Sequence, residues 1–120
     1  MPRILIVDDN EDNRDVLSRR LKRKGFEITM ATGGQEAIDK AASDKPDLIL
    51  MDLNMPELDG WEATTTIRES GNKVPVIALT AHAMEGDRAR AIEAGCSDYH
   101  TKPVEMAALL AQIEDLLSGS

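Results

Sequence analysis

Residues 4–9 of the chain read ILIVDD, an unbroken apolar run that ends abruptly at two aspartates. Two similar apolar runs follow, LILM at residues 48–51 and VIAL at residues 76–79. Short unbroken runs of this kind are typical of strands that are buried on both faces, as in a parallel sheet covered by helices. We therefore predict that these three segments form the central strands of one sheet.

Two weaker segments complete the set of predicted strands. Residues 26–30 (FEITM) alternate in polarity, and residues 97–100 (SDYH) are mostly polar. Strands of this composition tolerate solvent on one side, so we place them at the two edges of the sheet.

Helical periods fill the gaps between the predicted strands. In the first helix we expect Val16, Leu17 and Leu21 to share the inner face, and in the fourth helix Ala89 and Ile92. The last helix, near the C-terminus, carries the clearest apolar stripe at helical spacing.

The chain thus alternates strand and helix five times, without a linker, and we predict a single domain over residues 1–120. Right-handed crossovers and the strong strands at the centre favour strand order 2-1-3-4-5. This is the flavodoxin-like (βα)5 architecture, an α/β fold with a doubly wound parallel sheet. Because the chain reverses direction between the first and third strands, we expect the functional crevice at the carboxyl ends of those strands.

The composition and net charge of the chain argue against several classes of function. The net charge of −8 and the sequence pI of 4.7 argue against non-specific binding to nucleic acid or to anionic membranes. The start of the chain turns acidic before a signal peptide could form, and no apolar run approaches the length of a membrane span. The single cysteine, Cys96, excludes an internal disulfide. We expect a cytoplasmic protein without a membrane partner.

Five polar residues lie at or after the carboxyl ends of the predicted strands, at the expected crevice: Asp8, Asp9, Asp52, Thr80 and Lys102. Each has an ordinary explanation on its own. The aspartates could cap a helix or occupy a turn, the threonine could simply favour a strand, and the lysine could be a solvated surface residue. Turn acids have no reason to gather at a switch point, however, so their convergence favours a functional site.

Three carboxylates in one pocket repel each other unless a cation lies between them. An all-oxygen site suits Mg²⁺, whereas His82, His100 and Cys96 lack the spacing of soft-metal ligands. With the charge compensated, one carboxylate can act as a nucleophile in phosphoryl transfer. Lys102 and Thr80 could then bind the phosphoryl oxygens.

This pattern resembles the signature of response-regulator receiver domains of two-component signalling, and the resemblance covers essentially the whole chain. The residues that carry it are Asp8-Asp9, Asp52, Thr80-Ala81 and Lys102-Pro103. Residues 9–14 and 78–84 are most similar to receivers of hybrid sensor kinases and of stand-alone phosphorelay regulators.

The resemblance implies a role for each acid. Asp52 would be the phosphoacceptor, taking a phosphoryl group from a phosphohistidine on a histidine kinase or a histidine phosphotransfer protein. Asp9, Asp52 and the backbone carbonyl of Asn54 would bind Mg²⁺, for which Mn²⁺ could substitute, and Asp8 would act through water. Such a domain is a switch that catalyses its own phosphorylation and dephosphorylation, not a turnover enzyme.

The resemblance also implies how the switch works. Lys102 and the backbone of Ala81 would contact the phosphoryl group, and the bond from Lys102 to Pro103 would be cis. Thr80 and Tyr99 would move on activation. Asn54 and His82 match positions thought to tune phosphoryl lifetime, each two residues beyond a site residue. Val104 departs from the phenylalanine that many DNA-binding regulators carry after the proline.

The first helix becomes basic toward its end, at Arg14, Arg19, Arg20 and Arg23. Basic residues there could merely offset the helix dipole. The resemblance favours a docking surface for the phosphoryl donor. We expect a monomer or weak dimer whose output is contact with another protein, without direct DNA binding.

Two rival functions share parts of this pattern. An Mg²⁺-dependent aspartyl-nucleophile phosphatase of the haloacid-dehalogenase type would want an acid two residues after the nucleophile, where this chain has Asn54. A flavin-binding protein would want a phosphate loop rich in Ser, Thr or Gly after the first strand, where Asp8 and Asp9 would repel a phosphate. A degenerate receiver is disfavoured because every site position is filled.

Overall fold

The structure, a computed structural model, describes residues 2–53, 60–80 and 87–118. Strands and helices alternate throughout these ranges. The elements are β1 (Arg3–Val7), α1 (Glu11–Arg23), β2 (Glu27–Ala31), α2 (Gly34–Ser43), β3 (Leu48–Asp52), α3 (Gly60–Glu69), β4 (Val76–Thr80), α4 (Asp87–Ala94), β5 (Asp98–Thr101) and α5 (Met106–Leu117).

The five strands form one parallel sheet in the order β2-β1-β3-β4-β5, which confirms the predicted topology. The central strands β3 and β4 are buried along their whole length. The edge strands β2 and β5 are partly exposed, as their mixed polarity predicts. Because all strands run the same way, their carboxyl ends share one edge of the sheet.

Alternate side chains of the sheet pack into two apolar layers. Ile4 and Ile6 of β1 point into the layer that α1 and α5 cover, where large residues such as Leu21 and Leu109 fill the space. Leu5 and Val7 point into the opposite layer, where α2, α3 and α4 contribute mainly small side chains. Residues 4–7 of β1 are thus buried on both faces, which is why this run contains no polar residue.

The predicted inner face of α1 is wrong in part, and that of α4 is wrong. Leu17 and Leu21 are buried in α1, but Val16 is 49% exposed. In α4 the inward residue is Ala91, whereas Ala89 is exposed and Ile92 is 49% exposed. Neighbouring helical positions are about 100° apart, so Val16 lies outside the inner face that Leu17 and Leu21 share, and a face centred on Ala91 turns Ala89 and Ile92 outward. Ala91 belongs to the apolar layer that α2, α3 and α4 cover.

Within the described ranges, none of the helices combines the length and apolar character that crossing a bilayer requires.

Candidate functional site

The predicted acids lie together at the carboxyl edge of the sheet. Asp8 follows β1 and is 1% exposed, Asp52 ends β3 and is 3% exposed, and Asp9 is exposed to solvent. One carboxylate oxygen from each of the three lies within 4.8 Å of the others. Two buried acids and one exposed acid therefore share a single pocket that opens to solvent.

Backbone pairing explains why the acids converge. The Asp8 amide donates to the Ala31 carbonyl (3.2 Å), which extends the β1–β2 ladder to the acid itself. Asp52 stands opposite Leu79 in the register of β3 and β4, and the amide of Leu53 donates to the Leu79 carbonyl (2.9 Å). The ladders thus hold both buried acids at the sheet edge.

The start of α1 fixes the Asp8 side chain. The backbone amide of Asn10 donates to Asp8 Oδ1 (2.9 Å), and the Asn10 side chain caps α1 by accepting from the Asn13 amide (3.1 Å). Asp8 Oδ1 is therefore bound by the backbone, which leaves Oδ2 to face the pocket and Lys102.

Lys102 places an ammonium between the two buried carboxylates. Its Nζ lies 3.4 Å from Asp8 Oδ2 and 3.6 Å from Asp52 Oδ1, and its side chain is 22% exposed. The Lys102 amide donates to the Thr80 carbonyl (2.7 Å), so the chain leaving β5 is held against the end of β4. The Lys102–Pro103 bond is cis, the geometry that the resemblance implies. Among the described side chains, three carboxylates face one ammonium in the pocket, an excess of two negative charges.

The two residues predicted to switch occupy neighbouring strands. Thr80 ends β4 and is 3% exposed. Tyr99 of β5 is half-buried and packs against the apolar layer under α3 and α4. Three other predicted site residues, Asn54, Ala81 and His82, lie outside the described residues.

Gly60, the first residue of α3, lies closely behind Asp52. A Cβ atom at this position would be 2.4 Å from the Asp52 carbonyl oxygen and 2.9 Å from Leu53 Cα. Only glycine allows the start of α3 to lie against the end of β3 in this way. The sequence pattern gave no signal for this contact.

Arg14 contacts the site directly, which the sequence did not predict. Its Nη1 donates to the Asp8 carbonyl (2.6 Å), and the residue is half-buried. Arg14 stands four residues after the helix cap at Asn10, so it lies on the same side of α1 as the Asp8–Asp9 segment. This position within the helix is the signal that could have revealed the contact.

The other basic residues of α1 lie on its outer surface. Arg19 is exposed and pairs with Asp15 (2.7 Å), while Arg20 and Arg23 are exposed near Val16. A groove of about 260 Å³ runs from the acid pocket between α1 and the segment after β5. It is lined by Asp8, Asn13, Val16, Leu17, Arg20, Lys102, Pro103, Val104 and Met106.

The model of the response regulator receiver domain family matches residues 4–114. The chain belongs to this family. Receiver domains are phosphoacceptor switches of two-component signalling, they receive phosphoryl groups from histidine kinases, and they bind Mg²⁺ at an acidic pocket. Since the match covers nearly the whole chain, the phosphatase and flavin-protein alternatives are wrong.

Among curated relatives, the receiver is 43% identical over 116 residues to the transcriptional regulatory protein PrrA of Mycobacterium tuberculosis. It is 40% identical over 115 residues to the response regulator MprA of Mycobacterium avium. These alignments cover 97% and 96% of this chain but 50% of each relative. The chain therefore spans about half the length of the curated relatives it matches.

Solved receivers have the same fold. A two-component response regulator from Clostridium difficile superposes with a TM-score of 0.93 at 31% identity, covering 99% of this chain and 98% of that one. The receiver domain of a sensor histidine kinase from Pseudomonas aeruginosa, which holds a magnesium ion in its active-site cleft, gives a TM-score of 0.89 at 39% identity, with 98% of each chain covered.

Proposed function

We propose that Asp52 of this receiver accepts a phosphoryl group from a phosphohistidine on a histidine kinase or a histidine phosphotransfer protein. The observation that carries this assignment is the buried Asp52 carboxylate, which lies at the sheet edge beside both the Lys102 ammonium and the other two acids. Among the described acids of the pocket, Asp52 is the last residue of a strand that is buried along its whole length, whereas Asp8 follows β1 and Asp9 is exposed.

The transfer forms a bond between an Asp52 carboxylate oxygen and phosphorus, and breaks the bond from phosphorus to the donor imidazole nitrogen. The electron pair of the broken bond stays on the imidazole. As the Asp52 carboxylate becomes an acyl phosphate, Lys102 exchanges a carboxylate partner for a phosphoryl oxygen. An ammonium already held at 3.6 Å from Asp52 is placed to bind that oxygen with little reorganisation.

The pocket fits Mg²⁺ because its donors are hard carboxylate oxygens and it carries an excess of two negative charges. Asp9, Asp52 and the Asn54 carbonyl would hold the ion, with Asp8 acting through water, and Mn²⁺ should substitute. Bound there, the ion would neutralise charge on the phosphoryl oxygens.

For the switch, we propose that the Thr80 hydroxyl and the Ala81 amide bind phosphoryl oxygens together with Lys102, and that Tyr99 moves with Thr80. Shifting a ratio of inactive to active states from 1:99 to 99:1 needs about 5.5 kcal/mol. A few charge-assisted hydrogen bonds of roughly 1.5–3 kcal/mol each supply that amount. Asn54 and His82 would tune the lifetime of the acyl phosphate.

The phosphoryl donor would dock on α1. Arg19, Arg20 and Arg23 are exposed, and the groove beside Val16 leads directly to Lys102 and Asp8. Arg14 is the weakest of the predicted docking residues, because its guanidinium is bound to the Asp8 carbonyl.

The proposal about output applies to the receiver domain and not to the whole protein. PrrA is a transcriptional regulator in which the matched region is half the length. The proposal that this domain contacts protein and not DNA is therefore confined to the receiver. Similarity to a sensor-kinase receiver supports part of a hybrid kinase, whereas similarity to PrrA and MprA supports a receiver within a longer regulator; the stand-alone regulator stays a prediction. Monomeric or weakly dimeric behaviour and cytoplasmic location stay predictions.

The test is incubation with Mg²⁺ and acetyl phosphate, followed by intact mass measurement. We expect one phosphoryl adduct, stable in acid and labile in base, that is absent without Mg²⁺ and absent in Asp52→Asn. Asp39→Asn, an exposed acid on α2, is the matched control and should keep the adduct. An adduct that persists in Asp52→Asn would contradict the assignment.

A further inference from the structure

His100, near the end of β5, is an 8% exposed histidine whose two ring nitrogens are both hydrogen-bonded. Its Nε2 lies 3.2 Å from the backbone nitrogen of Glu105, and its Nδ1 lies 2.8 Å from Gln112 Oε1. A backbone N–H can only donate, so Nε2 accepts. The imidazole is therefore neutral, with its proton on Nδ1 and donated to Gln112.

Gln112 completes the arrangement. Its Nε2 donates to the Tyr99 carbonyl (2.9 Å), so its amide bonds to β5 at two consecutive residues. Three hydrogen bonds thus connect β5, the start of α5 and the second turn of α5 through buried or half-buried groups. Hydrophobic packing between a strand and a helix does not require any of these groups.

These hydrogen bonds join the two ends of the segment that carries Lys102. His100 stands before this segment, residues 101–104, and Glu105 stands after it as the N-cap of α5. The bond from the Glu105 amide to His100 Nε2 joins the two ends, while the Lys102 amide is held by the Thr80 carbonyl. The backbone from which the Lys102 side chain extends is therefore fixed at its centre and at both ends.

We propose that His100 and Gln112 are positioning residues that hold the Lys102 ammonium in place for phosphoryl transfer, an inference that rests on the proposed function. A lysine side chain has many rotamers, so its ammonium stays near Asp8 and Asp52 only if its backbone is held still. Neither His100 nor Gln112 bonds to any of the three acids among the described contacts. Their loss should therefore affect the lysine and spare the metal-binding acids.

The experiment compares His100→Leu with Ser97→Ala. Ser97 Oγ accepts from the Val76 amide (3.2 Å) at the opposite end of β5, so this control loses a side-chain acceptor for a backbone N–H far from the site. With acetyl phosphate and Mg²⁺, we expect His100→Leu to be phosphorylated roughly fivefold more slowly, as loss of about one hydrogen bond of positioning predicts. Ser97→Ala should match the parent rate. Mg²⁺ affinity, followed by Trp61 fluorescence, should stay within about twofold in both variants.

Three further measurements separate positioning from a general structural role. Nitrogen-15 NMR of the parent should show the neutral His100 ring protonated at Nδ1. Gln112→Leu should reproduce the slower phosphorylation, which keeps the test valid if His100→Leu does not fold. In a Lys102→Met background, His100→Leu should cause no additional slowing, because there is no ammonium left to position.

The outcomes also separate this inference from the proposed function. If the parent protein takes up no phosphoryl group, the proposed function is wrong. If the parent is phosphorylated but His100→Leu and Gln112→Leu keep its rate, or if His100→Leu slows the Lys102→Met protein just as much, only the positioning role is overturned.

Discussion

Replacing Gly60 by alanine should destabilise the receiver, although alanine is the better helix former. The new Cβ would be 2.4 Å from the Asp52 carbonyl oxygen, where ordinary contacts begin at 3.4 Å. The end of β3 or the start of α3 must therefore move by about 1 Å. Both neighbouring atoms belong to the backbone of a buried strand end, so no flexible side chain can yield instead.

The magnitude follows from two opposing effects. Overpacking of this kind costs roughly 2–3 kcal/mol. The gain in helix propensity at the first position of α3 is below about 1 kcal/mol. The net loss in the free energy of unfolding should be about 2 kcal/mol, which lowers Tm by roughly 8 °C for a domain of this size.

Gly33→Ala is the matched control, because Gly33 caps α2 and a Cβ there would meet nothing within 4 Å. Its cost should stay below about 1 kcal/mol. Urea unfolding followed by far-ultraviolet circular dichroism measures both variants. Since Asp52 moves with its carbonyl, Gly60→Ala should also slow phosphorylation by acetyl phosphate under conditions where it is folded. Equal stability of the two variants would refute the close-contact reasoning.

Two further predictions concern α1 and Cys96. Charge reversal of Arg19 and Arg20 to glutamate should slow transfer from a phosphorylated histidine phosphotransfer domain by about tenfold, because exposed charges act mainly on the encounter of two proteins. The same change should leave phosphorylation by acetyl phosphate unchanged. Arg14→Gln should slow both reactions. Equal slowing of both donors by the double reversal would count against docking. Burial raises the pKa of the Cys96 thiol above its ordinary value of 9.0. As pH rises, the unfolded chain therefore loses this proton before the folded protein does. The stabilisation that is present at lower pH is lost as pH rises above about 9. Urea unfolding at a series of pH values should show a shallower alkaline decline for Cys96→Ala, and identical slopes would argue against the raised pKa.

The sheet and the acid pocket could be predicted because both follow from pattern. Apolar runs such as residues 4–7 indicate buried strands without reference to any partner. Once five strands are parallel, the residues that follow them must share one edge, so Asp8, Asp52 and Lys102 were predicted to meet although 94 positions separate the first from the last.

The rotation of each helix about its axis could not be predicted from the apolar pattern alone. Val16 and Leu17 are adjacent apolar residues, and periodicity alone does not say which of them faces the sheet. In α4, the eight-residue helix offers Ala89, Ala91 and Ile92 as alternatives, and the burial of Ala91 depends on how the helix packs against the neighbouring elements.

By itself, the sequence determined the fold class, the strand order and the set of chemical groups at the sheet edge, because hydrophobic burial and chain connectivity act through the order of residues. Only the tertiary structure decided that Gly60 must lack a side chain, that Arg14 binds the Asp8 carbonyl and that His100 closes the Lys102 segment. These contacts depend on distances of a few ångströms between separate elements, which packing sets and periodicity does not encode.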